Sequence, residues 1–315
     1  MAAGAETRRA VQGVGRQVEN IVKFRGMQNP HFSIHVGDKV LDLSQPVVMA
    51  IVNVTPDSFY GGSRTLSRSD IEVRIDHVVR QGAAIIDIGG YSSRPGADDV
   101  PPHEELQRVA LGVETVRKMF PDAVVSVDTF RASVADEILN RFGPCIVNDI
   151  SAGELDPEMF GTVARHGVPY IAMHMRGRPD NMQQLADYRN TTDEIFHYLS
   201  RRMSEARAAG IGEIIIDPGF GFAKTLPQNY ELLAGRGKFV QLGCPILAGV
   251  SRKSMIYKVL DTTPEDALNG TSALHWECLR QGVSILRVHD VEAAVQVVKL
   301  FNFYSHHGKL LDNSR

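Results

Sequence analysis

The chain has 315 residues, of which 43% are hydrophobic and 23% are charged, and its formal net charge at pH 7 is −3. This composition is typical of a globular protein with a large core, and the slightly acidic balance argues against a nucleic-acid partner. The three cysteines, Cys145, Cys244 and Cys278, lack CxxC spacing, which argues against a disulfide framework or a zinc site. The cysteine pattern is typical of a reducing compartment, and since no apolar stretch is long enough to span a bilayer, we expect a soluble, cytoplasmic protein.

Residues 1–30 do not share the pattern of the rest of the chain. They contain no apolar signal-peptide core. Their arginines suggest an organelle transit peptide, but Glu6 and Glu19 argue against one. We predict a loosely ordered extension or a short helix over residues 1–30, followed by a single domain over residues 31–315.

A hairpin precedes a long series of apolar runs. Residues 31–46, HFSIHVGDKVLDLSQP, alternate apolar and polar positions around Gly37 and Asp38, which predicts two strands joined by a turn. Eight short runs rich in Val and Ile follow, and each is typical of a buried strand. These predicted strands cover residues 47–54, 83–90, 123–129, 145–151, 169–175, 213–219, 245–251 and 284–290.

Amphipathic segments separate these runs and predict helices, for example over 69–82, 132–141, 191–210 and 264–282. For the last helix we predict Thr263 as the N-cap and Asp266 at the third helical position. Strict alternation of strands and helices implies parallel strands with right-handed crossovers. Eight such units close into a barrel, whereas a doubly wound open sheet, the alternative, usually has fewer strands. The predicted fold is an α/β protein, a (β/α)8 TIM barrel whose bottom is covered by the N-terminal β-hairpin.

Polar side chains stand at the carboxyl end of every predicted strand. These residues are Asn53, Asp87, Asp128, Asn148, Asp149, His174, Asp217, Ser251, Arg252, Lys253, Arg287, His289 and Asp290. In a TIM barrel the carboxyl ends of the strands meet on one face, where active sites lie. One polar strand end is usually a turn former, but eight on one face are costly unless they bind a ligand. The sequence therefore predicts a ligand-binding face.

The residues of this face divide by charge. The hydrogen-bond acceptors are Asp87, Asp128, Asn148 and Asp217. The cations near them are Arg94, Arg252, Lys253, Arg287 and His289. A flat heterocycle with several N–H donors would suit the acceptors, and an anion such as pyrophosphate would suit the cations.

Several of these residues also have a structural interpretation. Asp87 would bond loop amides below the site, Arg94 would be a solvated loop residue, and His174 would be a packed, hydrogen-bonded histidine. Lys224 stays open between a surface position and a role in the site. The functional interpretation is favoured from the residues alone where a polar residue closes a strongly apolar run, as Asp128, Asn148, Asp217 and Lys253 do.

Eight motifs make the pattern specific. They are NVTPDSF (53–59), DIGGYSSRPGA (87–97), SVDTF (126–130), VNDISAG (147–153), MHMRGRP (173–179), DPGFGFAK (217–224), GVSRKSM (249–255) and RVHDV (287–291). In this order they closely resemble the motifs of bacterial dihydropteroate synthases. The resemblance implies a transferase of folate biosynthesis. Such an enzyme condenses 4-aminobenzoate with 6-hydroxymethyl-7,8-dihydropterin pyrophosphate, giving 7,8-dihydropteroate and pyrophosphate.

The resemblance also implies roles for individual residues. The pterin would be held by Asp128, Asn148, Asp217 and Lys253. Pyrophosphate would be bound by Asn53, Arg94, Arg287 and His289, with Mg2+ near Asn53. The 4-aminobenzoate would lie among Phe59, Ser93, Pro95, Phe222, Lys253 and Ser254. The catalytic set it implies is Asp128, Asp217, Lys253, Arg287 and His289, and the first loop, which contains Asp57 and Phe59, would close over the site.

The resemblance further implies a homodimer, formed through late helices, and binding of sulfonamides, which imitate 4-aminobenzoate. Tyr91 departs from the family, in which Glu or a small residue is common, and its bulk would affect the second loop. Two alternatives stay open at this point. One is a methyltetrahydrofolate-dependent corrinoid methyltransferase, which needs no pyrophosphate site, and the other is a pterin binder without activity.

Overall fold

The computed structural model of the protein describes residues 32–55, 68–91, 99–235 and 237–312. Its first element is an antiparallel hairpin of β1 (Ser33–Val36) and β2 (Lys39–Asp42). The predicted N-terminal extension, residues 1–30, lies outside the described residues. The structure confirms the predicted hairpin. The predicted boundary between the extension and the domain stays a prediction.

Eight parallel strands follow in the described part of the chain. They are β3 (Val47–Asn53), β4 (Ile85–Gly89), β5 (Val124–Asp128), β6 (Ile146–Asp149), β7 (Tyr170–Met173), β8 (Ile214–Asp217), β9 (Leu247–Ala248) and β10 (Ile285–Val288). Their order in the sheet is β8-β7-β6-β5-β4-β3-β10-β9. A parallel bridge between Ile216 and Ile246 brings the two ends of this order together. The predicted barrel is confirmed, and every predicted strand contains an observed one.

Helices connect the strands within the described ranges. They are α1 (Arg68–Arg80), α2 (Pro102–Met119), α3 (Ala132–Phe142), α4 (Met159–His166), α5 (Thr191–Ala208), α6 (Leu226–Leu233), α7 (Ser254–Tyr257), α8 (Leu268–Arg280) and α9 (Val291–Asp312), with 3-10 turns at Met182–Leu185 and Lys238–Leu242. The predicted helices over 69–82, 132–141 and 191–210 agree with α1, α3 and α5 to within three residues at each end.

The helix predicted over 264–282 begins later, at Leu268, so the prediction of Thr263 as its N-cap was wrong. Thr263 Oγ1 instead lies 3.2 Å from Asp266 Oδ2 within a turn that precedes the helix. The side chain of Arg252 explains the turn, because its Nη1 donates to the carbonyl oxygens of Pro264 and Glu265, at 2.7 and 2.5 Å. The carbonyl oxygens of Pro264 and Glu265 therefore accept from Arg252, which is not part of the helix.

The hairpin closes the amino-terminal end of the barrel with an apolar layer. One residue from each of the eight strands joins a cluster with four hairpin residues. The cluster contains Ile34, Val36, Leu41 and Leu43 of the hairpin and Met49, Ile85, Val124, Ile146, Ile171, Ile215, Leu247 and Ile285 of the strands. Burial of each such side chain contributes roughly 1.5–3 kcal/mol. The prediction that the hairpin covers the bottom is confirmed.

Candidate active site

The inward-facing side chains of the strands are apolar at the bottom of the barrel and polar at its top. Met49 lies in the bottom cluster, whereas Val48, Ala50 and Val52 pack outward against the helices. Because side chains of a strand alternate between its two faces, Asn53 faces the same side as Met49. The strand register then places Asn53, Gly89, Asp128 and Asn148 next to one another on β3 to β6. Three polar side chains thus surround a glycine.

Gly89 leaves space between two of these side chains. A Cβ atom at this position would lie 3.3 Å from Asn53 Oδ1 and 3.7 Å from Asp128 Oδ2. Its absence allows one small ligand group to reach both oxygens. Hard cations such as Mg2+ bind oxygen ligands of this kind.

A network of charges crosses the barrel beside this glycine. Arg287 on β10 donates from Nε to Asp87 Oδ2 at 2.7 Å and from Nη2 to Asp128 Oδ2 at 2.5 Å. Asp87 is fully buried and also accepts from Asn148 Nδ2, at 3.2 and 3.4 Å from its two oxygens. A buried carboxylate is tolerated when it is paired in this way. The structural interpretation of Asp87 as a partner of loop amides is therefore replaced by a role within the site.

The two predicted catalytic carboxylates differ in their partners. Burial raises the pKa of Asp128 to about 7 although the Arg287 charge acts in the opposite direction. Burial also raises the pKa of Asp217, which Lys253 and the N–H of Gly219 oppose. Asp217 Oδ1 accepts from that N–H at 2.8 Å. Both carboxylates therefore lie in an environment that favours a ligand able to donate hydrogen bonds to them.

Lys253 connects the ends of β8 and β9. Its Nζ donates to the carbonyl oxygen of Phe220 and lies 4.7 Å from the ring centroid of Phe222. Burial lowers the pKa of Lys253 to about 8, and Asp217 partly offsets this effect. The lysine is therefore mostly charged near pH 7. It places a cation next to an aromatic ring and near enough to Asp217 for their charges to interact.

His289 and Arg252 follow the last two strands. The Nδ1 and the backbone N of His289 each lie 3.2 Å from Oγ of the buried Ser251. Arg252 donates to both carboxylate oxygens of Asp290, at 2.7 and 2.8 Å. The prediction that Arg252 offers its charge to an anionic ligand is not supported by this arrangement, because its guanidinium pairs with Asp290 and with the two carbonyls before α8.

Comparison with known proteins identifies the family. A family model described as pterin binding enzyme matches residues 49–289. Dihydropteroate synthase of Haemophilus influenzae is 40% identical over 270 residues, which are 85% of this chain and 97% of that protein. This chain belongs to the dihydropteroate synthase family.

Solved structures of the same family superpose on most of the chain. Xanthomonas albilineans dihydropteroate synthase with 4-aminobenzoic acid has a TM-score of 0.80 and 35% identity, and the match covers 87% of this chain and 98% of that one. Yersinia pestis dihydropteroate synthase with a sulfonamide drug has a TM-score of 0.81 and 37% identity, covering 86% and 98%. Family membership makes the protein a transferase.

Not every site residue that the family motifs imply can be located. Phe59, Ser93, Arg94 and Pro95 lie outside the described residues, as does Asp57 of the first loop. The others lie at the carboxyl end of the barrel, on strands, in loops or, for Ser254, at the start of α7; they are Asn53, Asp128, Asn148, Asp217, Phe222, Lys253, Ser254, Arg287 and His289. Their individual roles stay predictions.

Tyr91, the departure from the family, packs within the protein. Its ring meets that of Phe130 edge to face at 5.1 Å between centroids, and the guanidinium of Arg131 lies 5.3 Å from its centroid. Both partners follow β5. The bulk of Tyr91 is therefore accommodated against the next loop along the barrel.

The structure shows the surroundings of two further polar residues, His174 and Lys224. His174 is buried and meets the ring of Tyr198 edge to face at 4.7 Å, so the prediction of a packed histidine is confirmed. Lys224 is 3% exposed and is not a surface residue. The residue roles implied by the family resemblance include neither Asp87 nor Lys224. Their only signal in the sequence was a charge inside or next to an apolar run.

Proposed function

We propose that the protein joins 4-aminobenzoate to 6-hydroxymethyl-7,8-dihydropterin pyrophosphate and forms 7,8-dihydropteroate and pyrophosphate in folate biosynthesis. The observation that carries the proposal is the placement of Asp128, Asn148 and Asp217 beside Lys253 and Arg287 in the barrel mouth. Acceptors for a pterin thus adjoin cations for a pyrophosphate. The family and the 4-aminobenzoic acid bound to the Xanthomonas albilineans relative support it.

The reaction requires no nucleophile from the protein. The bond between the pterin methylene carbon and the pyrophosphate oxygen breaks, and the electron pair leaves with pyrophosphate. The cation left on the methylene is delocalised into the ring, where Asp128 and Asp217 stabilise it electrostatically. The amine nitrogen of 4-aminobenzoate then forms the new bond and loses a proton. Arg287 would contribute positive charge near the departing pyrophosphate, and His289 would contribute a ring nitrogen for hydrogen bonding.

Magnesium would be held at Asn53. The space at Gly89 gives access to the Asn53 oxygen, and in the described ranges no group of three or more His, Cys, Asp or Glu forms a stronger metal site. Because Asn53 supplies a single neutral oxygen, it would hold Mg2+ only weakly in the absence of pyrophosphate. When bound, the metal would stabilise negative charge on pyrophosphate.

A chelator tests the magnesium proposal. Turnover should stop in excess chelator and return when Mg2+ is added, and Asn53→Ala should require more Mg2+ than the unchanged protein. Undiminished turnover in the presence of chelator would contradict it.

Sulfonamides should compete with 4-aminobenzoate. Phe222 offers an apolar wall, and Lys253 with Ser254, the first residue of α7, offers donors for a carboxylate or sulfonyl oxygen. The sulfonamide drug held by the Yersinia pestis relative supports this proposal. Sulfamethoxazole at several 4-aminobenzoate concentrations should give competitive inhibition. Inhibition that 4-aminobenzoate does not relieve would speak against a shared pocket.

The decisive experiment separates the condensation from the two alternative functions. Purified protein is mixed with both substrates, and pyrophosphate and dihydropteroate are measured. Equal release of the two products is expected. A corrinoid methyltransferase or a pterin binder without activity would release neither product, although the binder would still bind the pterin in calorimetry.

A homodimer in a reducing cytoplasm completes the proposal. On α9, Leu300, Phe303 and Tyr304 are exposed by 66%, 65% and 63%, and exposed apolar clusters of this kind favour association. Sedimentation should give a dimer that Phe303→Glu weakens, and a monomer at all concentrations would exclude this surface.

The cysteines are free and buried, consistent with a reducing compartment. In the described part of the chain, no helix combines the length and apolarity that a membrane crossing requires.

A further inference from the structure

The loop between β8 and α6, residues 218–225, has an unusual backbone. Gly219, Gly221 and Ala223 have φ values of 71°, 83° and 48°. Left-handed conformations are unfavourable for a residue such as alanine and persist only when neighbouring contacts fix them. A Cβ atom on Gly219 would lie 2.0 Å from the carbonyl oxygen of His174. The loop therefore packs against the end of β7 without space for adjustment.

Lys224 fastens this loop from inside the protein. Its Nζ donates to the carbonyl oxygen of Gly219 at 2.7 Å and to that of Phe222 at 2.9 Å. The same nitrogen lies 3.1 Å from His174 Nδ1. Three polar partners surround this one nitrogen. One buried side chain thus joins both halves of the loop to the strand beside it.

The chemistry of His174 fits this contact. Burial, and after it the Lys224 charge, hold the pKa of His174 well below its ordinary value. The ring is therefore neutral near pH 7 and has an acceptor nitrogen for Lys224. Burial lowers the pKa of Lys224 as well, which Asp217 opposes and Lys253 and Arg176 reinforce. The hydrogen bonds described for Lys224 Nζ are made to the loop and to His174.

The outer side of the same loop has separate attachments. The hydroxyl of Tyr188 donates to the carbonyl oxygen of Ala223 at 2.9 Å, and Asn229 Oδ1 accepts from the N–H of Gly221 at 2.7 Å. Thr225 and Gln228 form a capping box that fixes the start of α6 directly after Lys224. These contacts hold the ends of the loop when Lys224 is replaced. The carbonyls of Gly219 and Phe222 would then lose their shared donor.

We propose that Lys224 is a positioning residue for the amine substrate, which fixes the backbone at Phe222 so that the Phe222 ring stays beneath Lys253. The ring lies 4.7 Å from Lys253 Nζ and packs in the cluster of Phe130, Ile150, Met173 and Met175. Its position is set by a carbonyl that Lys224 binds directly. This inference rests on the proposed function, in which Phe222 and Lys253 line the 4-aminobenzoate site.

A double-mutant cycle tests the inference. Lys224→Met should raise KM for 4-aminobenzoate about tenfold while kcat stays within about threefold, because binding is weakened equally in the ground and transition states. Phe222→Ala should raise the same KM at least as much. In the double variant the KM should exceed that of Phe222→Ala by no more than about twofold, since residues that act through one another are not additive. KM for the pterin pyrophosphate should change by less than about threefold.

The matched control is Lys258→Met, which removes an exposed lysine beyond α7 and should leave every kinetic constant unchanged. An unchanged 4-aminobenzoate KM in Lys224→Met, or multiplicative effects in the double variant, would overturn the inference. If Lys224→Met gives no folded protein by circular dichroism, the cycle is run with Lys224→Gln, which keeps N–H donors, and an additive result there overturns it equally. Absence of pyrophosphate release by the unchanged protein would instead contradict the proposed function.

Discussion

The two ends of the barrel are built on the same strands but have opposite chemistry. At the amino-terminal end, Met49, Ile85 and Ile285 meet the hairpin in a dry apolar layer. Two residues further along β4 and β10, Asp87 and Arg287 form an ion pair at 2.7 Å. Because alternation places residues two apart on the same face, one strand contributes to both layers. The apolar layer that stabilises the fold and the polar layer of the candidate site are therefore only two residues apart along each of these strands.

Removing the central cation should have the largest effect on the polar end. Arg287→Met leaves Asp87 and Asp128 without their shared partner, so we expect condensation to fall at least about a thousandfold. We also expect the free energy of unfolding to fall by about 3–5 kcal/mol, because an uncompensated charge remains buried. Product formation and urea unfolding measure the two effects. Arg141→Met, which removes an exposed i,i+4 pair with Glu137, is the control and should change neither.

Truncating the apolar end should affect stability alone. Leu43 is 1% exposed beneath the barrel, so Leu43→Ala should lower the free energy of unfolding by about 2–5 kcal/mol. The kinetic constants of the folded protein should not change. Val40, on the same hairpin, is 61% exposed, and Val40→Ala should cost less than about 0.5 kcal/mol. A raised KM in the folded Leu43→Ala protein would mean that the two ends are coupled.

Removing single acceptors at the polar end tests which carboxylates bind the pterin. Asp128→Ala and Asp217→Ala should each weaken binding of the pterin pyrophosphate by about 10- to 100-fold, since a hydrogen bond to a charged group contributes roughly 1.5–3 kcal/mol. Calorimetry measures the affinity. Asp122→Ala, an exposed carboxylate near the other end of the barrel, should have no effect. Unchanged affinity in both site variants would remove these residues from the pterin pocket.

The smallest expected effect is a pH dependence that only the polar end should show. Burial raises the pKa of Asp128 from 3.8 to about 7, so between these values the folded state binds a proton that the unfolded state does not. The contribution of Asp128 to stability therefore falls as pH rises through this window. Its charged form, the better acceptor, predominates above it. Pterin affinity should be about tenfold higher at pH 8 than at pH 6.

Asp128→Asn provides the control for this titration, because it has no proton to lose. Its pterin affinity should be nearly the same at both pH values, and any remaining slope belongs to the ligand. An equal slope in both proteins would assign the effect to another group.

The sequence predicted the architecture because its signals are local. Apolar runs and their spacing identify eight strands, and a polar residue at the end of a run identifies the face on which the site lies. Partner choice across the barrel is not local. Arg287 bonds Asp87 and Asp128, which are 200 and 159 residues away, and only the closed barrel decides that they meet. The late start of α8 has the same cause, since the Arg252 side chain that shapes the preceding turn comes from another loop.

The barrel closes between β8 and β9. This junction, the seam of the barrel, runs through the candidate site. β9 has two residues, and its contact with β8 includes the bridge from Ile216 to Ile246 and the bond from the N–H of Ile216 to the carbonyl of Pro245 at 3.0 Å. Short ladders open first in native-state hydrogen exchange. Asp217 lies on one side of this seam and Lys253 on the other, where Lys253 also bonds the carbonyl of Phe220. Asp217 and Lys253 carry opposite charges that attract each other across the seam, so a ligand that binds both residues should slow the exchange of amides along β8 and β9.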